Sequence, residues 1–369
     1  MKVLILSTGT GEGHNSAAKA IKEQFDDRGI YCELVDVLSF ASKNTSKYSK
    51  RIYIWSTVKA KRVFKNAYKA GRLLSNSNHK SPVYYANALY SSKLLSYIKI
   101  NNFDTVVMPH LFPAEALTYL LRKHRISVKT YFIATDYTCI PFTEETRADC
   151  YFIPHEDLKN EFVRRGIPEF RLIPYGIPVS KIYSSIISKD DARNKLNIEL
   201  DKKCVVLMTG SMGFGNIESL SLKIVKNCDC NLYILCGNNE ELKDILRNKY
   251  KEYENVHILD FTNDTFLYMK ACDVLFTKPG GLTSSEAMVA NVPLVHTSPI
   301  PGCENRNADF FSKHGMSIYD DNEDVLVKKG IELLNDASLQ EKMIECQRKY
   351  GKPTAAKDIC DFIIKNGND

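Results

Sequence analysis

Lys278-Pro279-Gly280-Gly281-Leu282-Thr283-Ser284-Ser285-Glu286 is the stretch that decides the fold, with Pro301-Gly302-Cys303-Glu304-Asn305-Arg306-Asn307 a short way downstream. The apolar run 274–277 just ahead reads as a buried strand, and a helix opens near Leu282. Strand, glycine pair and helix in that order form the joint of a parallel α/β sheet. Two glycines let the backbone approach a ligand closely, and the free amides of a new helix point at it, so an anion such as pyrophosphate is the natural guest. Glu286 lies one turn into that helix, where its carboxylate can accept from a pair of ribose hydroxyls. Glu304 and Asn307, at i and i+3, share one face of the next helix start and read as a sugar grip. A glycine pair before a helix is also ordinary punctuation in α/β proteins. The combination is what points to a nucleotide followed by a sugar.

Working outward, the same alternation fills both halves. Strands are expected over 3–6, 32–37, 105–108, 129–133 and 149–153, then over 204–209, 231–236, 256–260, 274–277 and 292–296. Helices fit 16–25, 113–123, 156–166 and 217–226, and glycine loops follow the first strand of each half at 8–14 and 210–215. The pattern predicts two parallel-sheet, doubly wound domains, over 1–178 and 203–350. Residues 179–202 read as a linker with a short helix. Residues 351–369 read as a last helix, with the first domain as its candidate partner.

At 369 residues the chain suits two cores of roughly 150–190 residues each. No apolar run approaches the roughly 18–20 residues that span a bilayer, and the opening apolar run reads as a strand rather than a leader because glycines end it at once. Eleven cysteines, an odd number without a Cys-x-x-Cys pair, suit reduced thiols; Cys228 and Cys230 alone are a weak metal signal. The net charge of +6 conceals an asymmetry. Residues 37–103 hold thirteen Lys and Arg and no acid, so the rest of the chain is net acidic. Within that window Arg51, Trp55, Lys59, Lys61, Arg62, Phe64 and Lys65 interleave cations with aromatics, a composition suited to an anionic membrane surface. Nucleic acid is attracted by the same charges, and a solvated basic face is the plain alternative. A window of this length without one acid favours the membrane.

Gly9-Thr10-Gly11-Glu12-Gly13-His14-Asn15 is a poor dinucleotide fingerprint, because its glycines alternate and no acid sits at the ribose position. At a helix start the positive dipole end favours the neutral form of His14. Such a ring serves either as a proton acceptor or simply as a cap.

These stretches together resemble glycosyltransferase family 28, in the branch of the monogalactosyldiacylglycerol synthases and processive diacylglycerol glucosyltransferases. The resemblance runs from the Gly9–His14 loop to about residue 315 and includes Ala134-Thr135-Asp136-Tyr137 and Gly176-Ile177-Pro178-Val179. It implies a fold of the GT-B type, two Rossmann-like domains facing a cleft, and an inverting transfer of a hexose from a UDP-sugar to diacylglycerol. In that setting Gly11 and Gly13 form the acceptor loop, His14 is the general base and Asp136 its catalytic companion. The donor falls to Gly210, Ser211, Met212 and Gly213, to Gly280, Gly281, Leu282 and Thr283, and to Glu286, Glu304 and Asn307. Phe261 and Thr262 take the uracil position, although Phe261 equally reads as a core residue after a strand. No cofactor or metal is expected, because the chain has no Asp-x-Asp pair. The expected partners are UDP-hexose, diacylglycerol or a related lipid and an anionic membrane surface, with no nucleic acid. The protein would then act peripherally at the cytoplasmic face. Two departures stand out: Ser180 follows Pro-Val where the family often carries Arg, and residues 138–142 lack the histidine common in lipid-synthesising relatives. The alternatives are a UDP-N-acetylglucosamine transferase acting on lipid I, a UDP-sugar epimerase of the same fold, and a non-catalytic UDP-sugar-sensing or membrane-binding protein.

Overall fold

The structure, a computed structural model, describes residues 1–9, 12–41, 80–123, 125–208, 210 and 216–367. Gly11, Ser211, Met212 and Gly213 lie outside the described residues, as do Arg51, Trp55, Lys59, Lys61, Arg62, Phe64 and Lys65. The chain divides into two compact units. The first comprises Met1–Ser180, Pro301–Cys303 and the residues from Lys352 onward; the second comprises Lys181–Ile300 and Glu304–Gly351.

In the first unit the described elements are β1 (Val3–Ser7), α1 (Glu12–Asp26), β2 (Cys32–Asp36), α2 (Pro82–Ala88), α3 (Ser91–Ile100), β3 (Thr105–Met108), α4 (Leu111–Arg122), β4 (Lys129–Ile133), β5 (Cys150–Phe152), α5 (Lys159–Arg164) and β6 (Leu172–Ile173). The strands form one parallel sheet in the order β2-β1-β3-β4-β5-β6. The chain leaves β1 toward one edge and returns on its other side, so the crevice between the carboxyl ends of β1 and β3 is the topological switch point where such sheets bind ligands. All five residues of β1 are buried, as a central parallel strand requires.

In the second unit they are α6 (Lys189–Leu196), β7 (Cys204–Met208), α7 (Ile217–Asn227), β8 (Asn231–Leu235), α8 (Glu240–Lys249), β9 (Val256–Leu259), α9 (Thr265–Ala271), β10 (Val274–Thr277), α10 (Gly281–Val289), β11 (Leu294–His296), α11 (Cys303–Lys313), β12 (Ile318–Tyr319), α12 (Glu323–Asn335) and α13 (Ala337–Tyr350). Its sheet runs β12-β11-β10-β7-β8-β9, again parallel, which puts the switch point between β7 and β10. The final helix, α14 (Ala355–Gly367), returns to the first unit. Ile359, Cys360 and Ile363 join Val3, Ile5, Ile21, Phe25, Tyr131 and Phe152 in one core. Arg28 of the α1 end pairs with Asp361 at 2.7 Å, and the edge of Phe362 meets the rings of Tyr131, Phe152 and Tyr175.

Three differences from the sequence reading have physical causes. Helix α1 opens at Glu12, so Gly13 and His14 stand in its first turn rather than in a loop. The edge strands β6 and β12 are two residues long, too short to carry a period. Residues 181–202, expected within a linker, fold with the second unit. There the buried Arg193 bonds the Asp273 carboxylate at 2.8 Å and the Ala271 carbonyl at 2.9 Å, and Asp273 also accepts from the Cys204 N–H at 2.8 Å. No helix among the described residues is long and apolar enough to cross a membrane.

Candidate active site

The second unit presents an uncapped helix start. The chain leaves β10 through Lys278 and Pro279, and Gly280 is the N-cap of α10 with no side chain capping the helix. The first amides of α10 are therefore open to a ligand, at the positive end of the helix dipole. A Cβ built on Gly280 would meet nothing within 4 Å, so the bare backbone leaves room outside the protein's own packing. Gly210, just beyond β7, has φ +72°, and a Cβ there would press to 2.7 Å from the Lys278 side chain. Gly210 thus allows Lys278 to lie across the β7–β10 crevice.

Glu286 is half-buried one turn into α10. Removal from bulk water pushes its carboxyl up to about 8, offset in part by a hydrogen bond donated by the Tyr183 hydroxyl. Behind it Ser284 lies 2.9 Å from Nε2 of His296, whose Nδ1 is 3.0 Å from the Ser317 hydroxyl. Burial pushes this imidazole down to about 3, so it stays neutral and fastens α10 to β11 through hydrogen bonds alone. Leu282 is buried and Thr283 half-buried in the first turn.

Glu304 and Asn307 do share one face of α11, and that face turns to the β10 loop. Glu304 accepts from Lys278 Nζ at 2.5 Å and from the Ile300 N–H at 2.8 Å; Asn307, fully buried, donates to the Pro279 carbonyl at 2.9 Å. In this structure both side chains brace the loop that carries the helix amides. Phe261 is 57% exposed, which removes the core reading, and Thr262 accepts from the Asp264 N–H through its hydroxyl.

The first unit supplies a proton acceptor. His14 Nδ1 lies 2.8 Å from the Pro109 carbonyl oxygen and 2.8 Å from Thr135 Oγ1. A carbonyl only accepts, so Nδ1 carries the proton and the lone pair is on Nε2. Burial lowers the pKa of the ring, which keeps it neutral, and the Pro109 hydrogen bond opposes part of that shift. His110 packs edge-on against His14 with ring centroids 4.5 Å apart; its Nδ1 accepts from the Phe112 N–H at 3.1 Å, capping α4. Burial first, and the neighbouring His14 second, hold His110 well below its usual range. His14, His110, Thr135 and Asp136 line one small pocket at the carboxyl ends of β1, β3 and β4. Ser180 donates to Glu23 at 3.0 Å, so the residue that stands in place of the family's arginine is engaged within the first unit.

Sequence reasoning missed His110, Thr135 and Tyr183. The signal for the first two was their position just beyond an apolar strand, where switch-point ligands gather, and Thr135 also stood beside Asp136 in a stretch that carries the resemblance. Among the described residues no group of three or more His, Cys, Asp or Glu side chains is gathered as metal ligands would be.

Two doubly wound units, one with open helix amides above a carboxylate and the other with a neutral imidazole at its switch point, define a fold of the GT-B glycosyltransferase type. Solved structures agree on the fold. MurG of Acinetobacter baumannii superposes with a TM-score of 0.65 at 16% identity, covering 99% of both chains. MnaA of S. aureus with UDP gives 0.67 at 13% identity, covering 100% of this chain and 97% of that one. UDP-GlcNAc 2-epimerase of Neisseria meningitidis, bound to UDP-GlcNAc, gives 0.64 at 16% identity, covering 99% and 100%.

By sequence, residues 14–179 match the family described as monogalactosyldiacylglycerol (MGDG) synthase, and residues 189–350 match glycosyl transferases group 1. A processive diacylglycerol beta-glucosyltransferase of Bacillus cereus (strain AH187) is 26% identical over 366 residues, 98% of this chain and 93% of the relative. Another, from Bacillus cereus (strain G9842), is 27% identical over 367 residues at the same coverage. Both halves of the chain are thus similar to glycosyltransferases, the first half to the monogalactosyldiacylglycerol synthases and nearly the whole length to the processive diacylglycerol beta-glucosyltransferases.

Proposed function

We propose that this protein is an inverting glycosyltransferase that moves a hexose from a UDP-sugar to the hydroxyl of diacylglycerol, or of a glycosyl-diacylglycerol, at the cytoplasmic membrane surface. The observation that carries the reading is the His14 tautomer: Nδ1 is committed to the Pro109 carbonyl, which leaves Nε2 free as a base. The near full-length likeness to processive diacylglycerol beta-glucosyltransferases supports the lipid acceptor. Neighbours solved with UDP or UDP-GlcNAc support the donor class.

In this reading the α10 amides hold the diphosphate and Glu286 accepts from the ribose hydroxyls. His14 Nε2 takes the proton of the lipid hydroxyl as its oxygen bonds the anomeric carbon. The bond from that carbon to the diphosphate breaks on the opposite face, inverting the centre, and UDP leaves with the electron pair. Helix amides meet the leaving charge, so the reaction proceeds without a divalent ion. The basic window at residues 37–103 draws the enzyme to anionic lipid.

The test is transfer of labelled sugar into liposomes that contain diacylglycerol and anionic lipid, with UDP-glucose, UDP-galactose and UDP-N-acetylglucosamine supplied separately and EDTA present. Label in the lipid phase from one hexose donor, with a β linkage by proton NMR, is the expected result. Turnover of UDP-N-acetylglucosamine with no lipid product would move the reading to the epimerases.

A further inference from the structure

Beside the His14 pocket the first unit holds a second, larger cavity of about 640 Å³ that no step above uses. Leu38 and Phe40, from the short helical turn after β2, form one wall; Val83, Ala86 and Leu89 on and just after α2 form another, and Phe112 of α4 closes the side toward His110. Its size lies within the range of small-molecule sites, roughly 300–1,000 Å³.

The polar atoms in this lining are already spent. Asn87 donates to the Val83 carbonyl at 3.0 Å and to Glu115 at 2.6 Å, and its own oxygen accepts from the Tyr90 hydroxyl at 2.6 Å. Glu115 beneath them is fully buried, and that burial pushes its carboxyl up to about 8. A sugar or nucleotide would find almost nothing to bond here, because among the described lining residues only the exposed Lys93 offers a charge, whereas a hydrocarbon needs no partner. The wall also presents apolar surface to water: Leu89 is 84% exposed. Finally, the cavity adjoins the base. Phe112 lies two residues beyond His110, caps onto its ring through its N–H, and His110 packs on His14.

We propose that this cavity takes an acyl chain of the lipid acceptor, which anchors the glycerol so that its free hydroxyl reaches His14. The assignment rests on the function proposed above for its choice of lipid, but its test does not need turnover. Ala86 stands exposed on the wall, so Ala86→Trp fills the space from its open side without disturbing the core. Leu89→Asp sets a charge on the same wall. Ile100→Trp, at an exposed apolar position outside the cavity, is the control.

The probe is dioleoylglycerol with a fluorescent label on one acyl chain, presented in detergent micelles to the full-length protein. Ala86→Trp and Leu89→Asp should each weaken its binding about tenfold, the loss of contact with one or two methylenes, while Ile100→Trp binds as the wild type does. Far-UV circular dichroism and the thermal unfolding midpoint should match the wild type in all three, which establishes that the first unit folds, and UDP binding, measured by calorimetry, should be unchanged. In turnover the KM for dioleoylglycerol should rise about tenfold in the two cavity variants and less for dioctanoylglycerol. Equal probe binding by wild type and both cavity variants overturns the assignment. Probe binding lost in the cavity variants from a wild type that transfers no sugar would support the cavity and sink the proposed reaction instead.

Discussion

The two switch-point crevices are built alike and put opposite chemistry in the same place. In the first unit the working helix is α1, which follows the first strand, and its first turn carries an imidazole. In the second unit it is α10, which follows β10, and its first turn is left as bare amides with the carboxylate one turn further in. Burial acts on both groups in the same sense, since it disfavours charge. It lowers His14 and raises Glu286 to about 8, so both are neutral near pH 7 in the ligand-free protein. For His14 the neutral form is the one that takes a proton. For Glu286, under the donor role proposed above, it is the form that a ribose must displace. One helix start is therefore poised before substrate arrives, and the other becomes poised on binding.

The largest expected effect breaks the first crevice. His14→Ala should lower kcat by about 10²–10⁴-fold and leave UDP affinity within twofold, as read by steady-state kinetics and calorimetry; full activity would remove the base role. Glu286→Ala should act on the other side of the comparison. It should raise the KM for the UDP-sugar about 10–100-fold with a smaller change in kcat, the scale of a hydrogen bond to a charged group.

A pH series sharpens the contrast further. The Glu286 carboxylate accepts from ribose with both oxygens and the protonated acid with fewer, so the competent fraction grows as pH rises through about 8. The KM for the donor should fall about tenfold from pH 7 to pH 9 and flatten beyond; Glu286→Gln should abolish that slope. The smallest effect belongs to Thr135. Thr135→Val leaves the Pro109 carbonyl to hold Nδ1, so kcat should drop only about 3–10-fold, with unchanged thermal stability.

Much of this architecture was legible because parallel strands buried on both faces write continuous apolar runs, and those runs were separated by glycine loops and helical spacing. Helix α10 with its glycine start was legible for the same reason, and so was the shared face of Glu304 and Asn307. What that face touches was not legible: Lys278 and the Pro279 carbonyl lie 26 and 28 residues away. Residues 181–202 were misread because their hold on the second unit comes from Arg193 and Asp273, 80 residues apart. Tyr183 lay inside that stretch, so its hydrogen bond to Glu286 was invisible in one dimension. His110 drew no reading from the sequence, and in the structure it caps α4. Only the crossover of β3 beside β1 brings its ring onto His14 as well.

The return of α14 to the first unit also sets the order of events on the ribosome. The apolar face formed by Val3, Ile5, Tyr131 and Phe152 is complete in sequence once Phe152 has been made, yet only the part of its cover that comes from Ile21 and Phe25 exists by then, and the rest arrives with Ile359, Cys360 and Ile363. At about 5–20 residues per second, the two are separated by roughly 10–40 s of translation, during which the entire second unit is synthesised. The nascent first unit therefore keeps part of a greasy sheet face open while its neighbour already folds. Truncation before Ala355 would make that interval permanent.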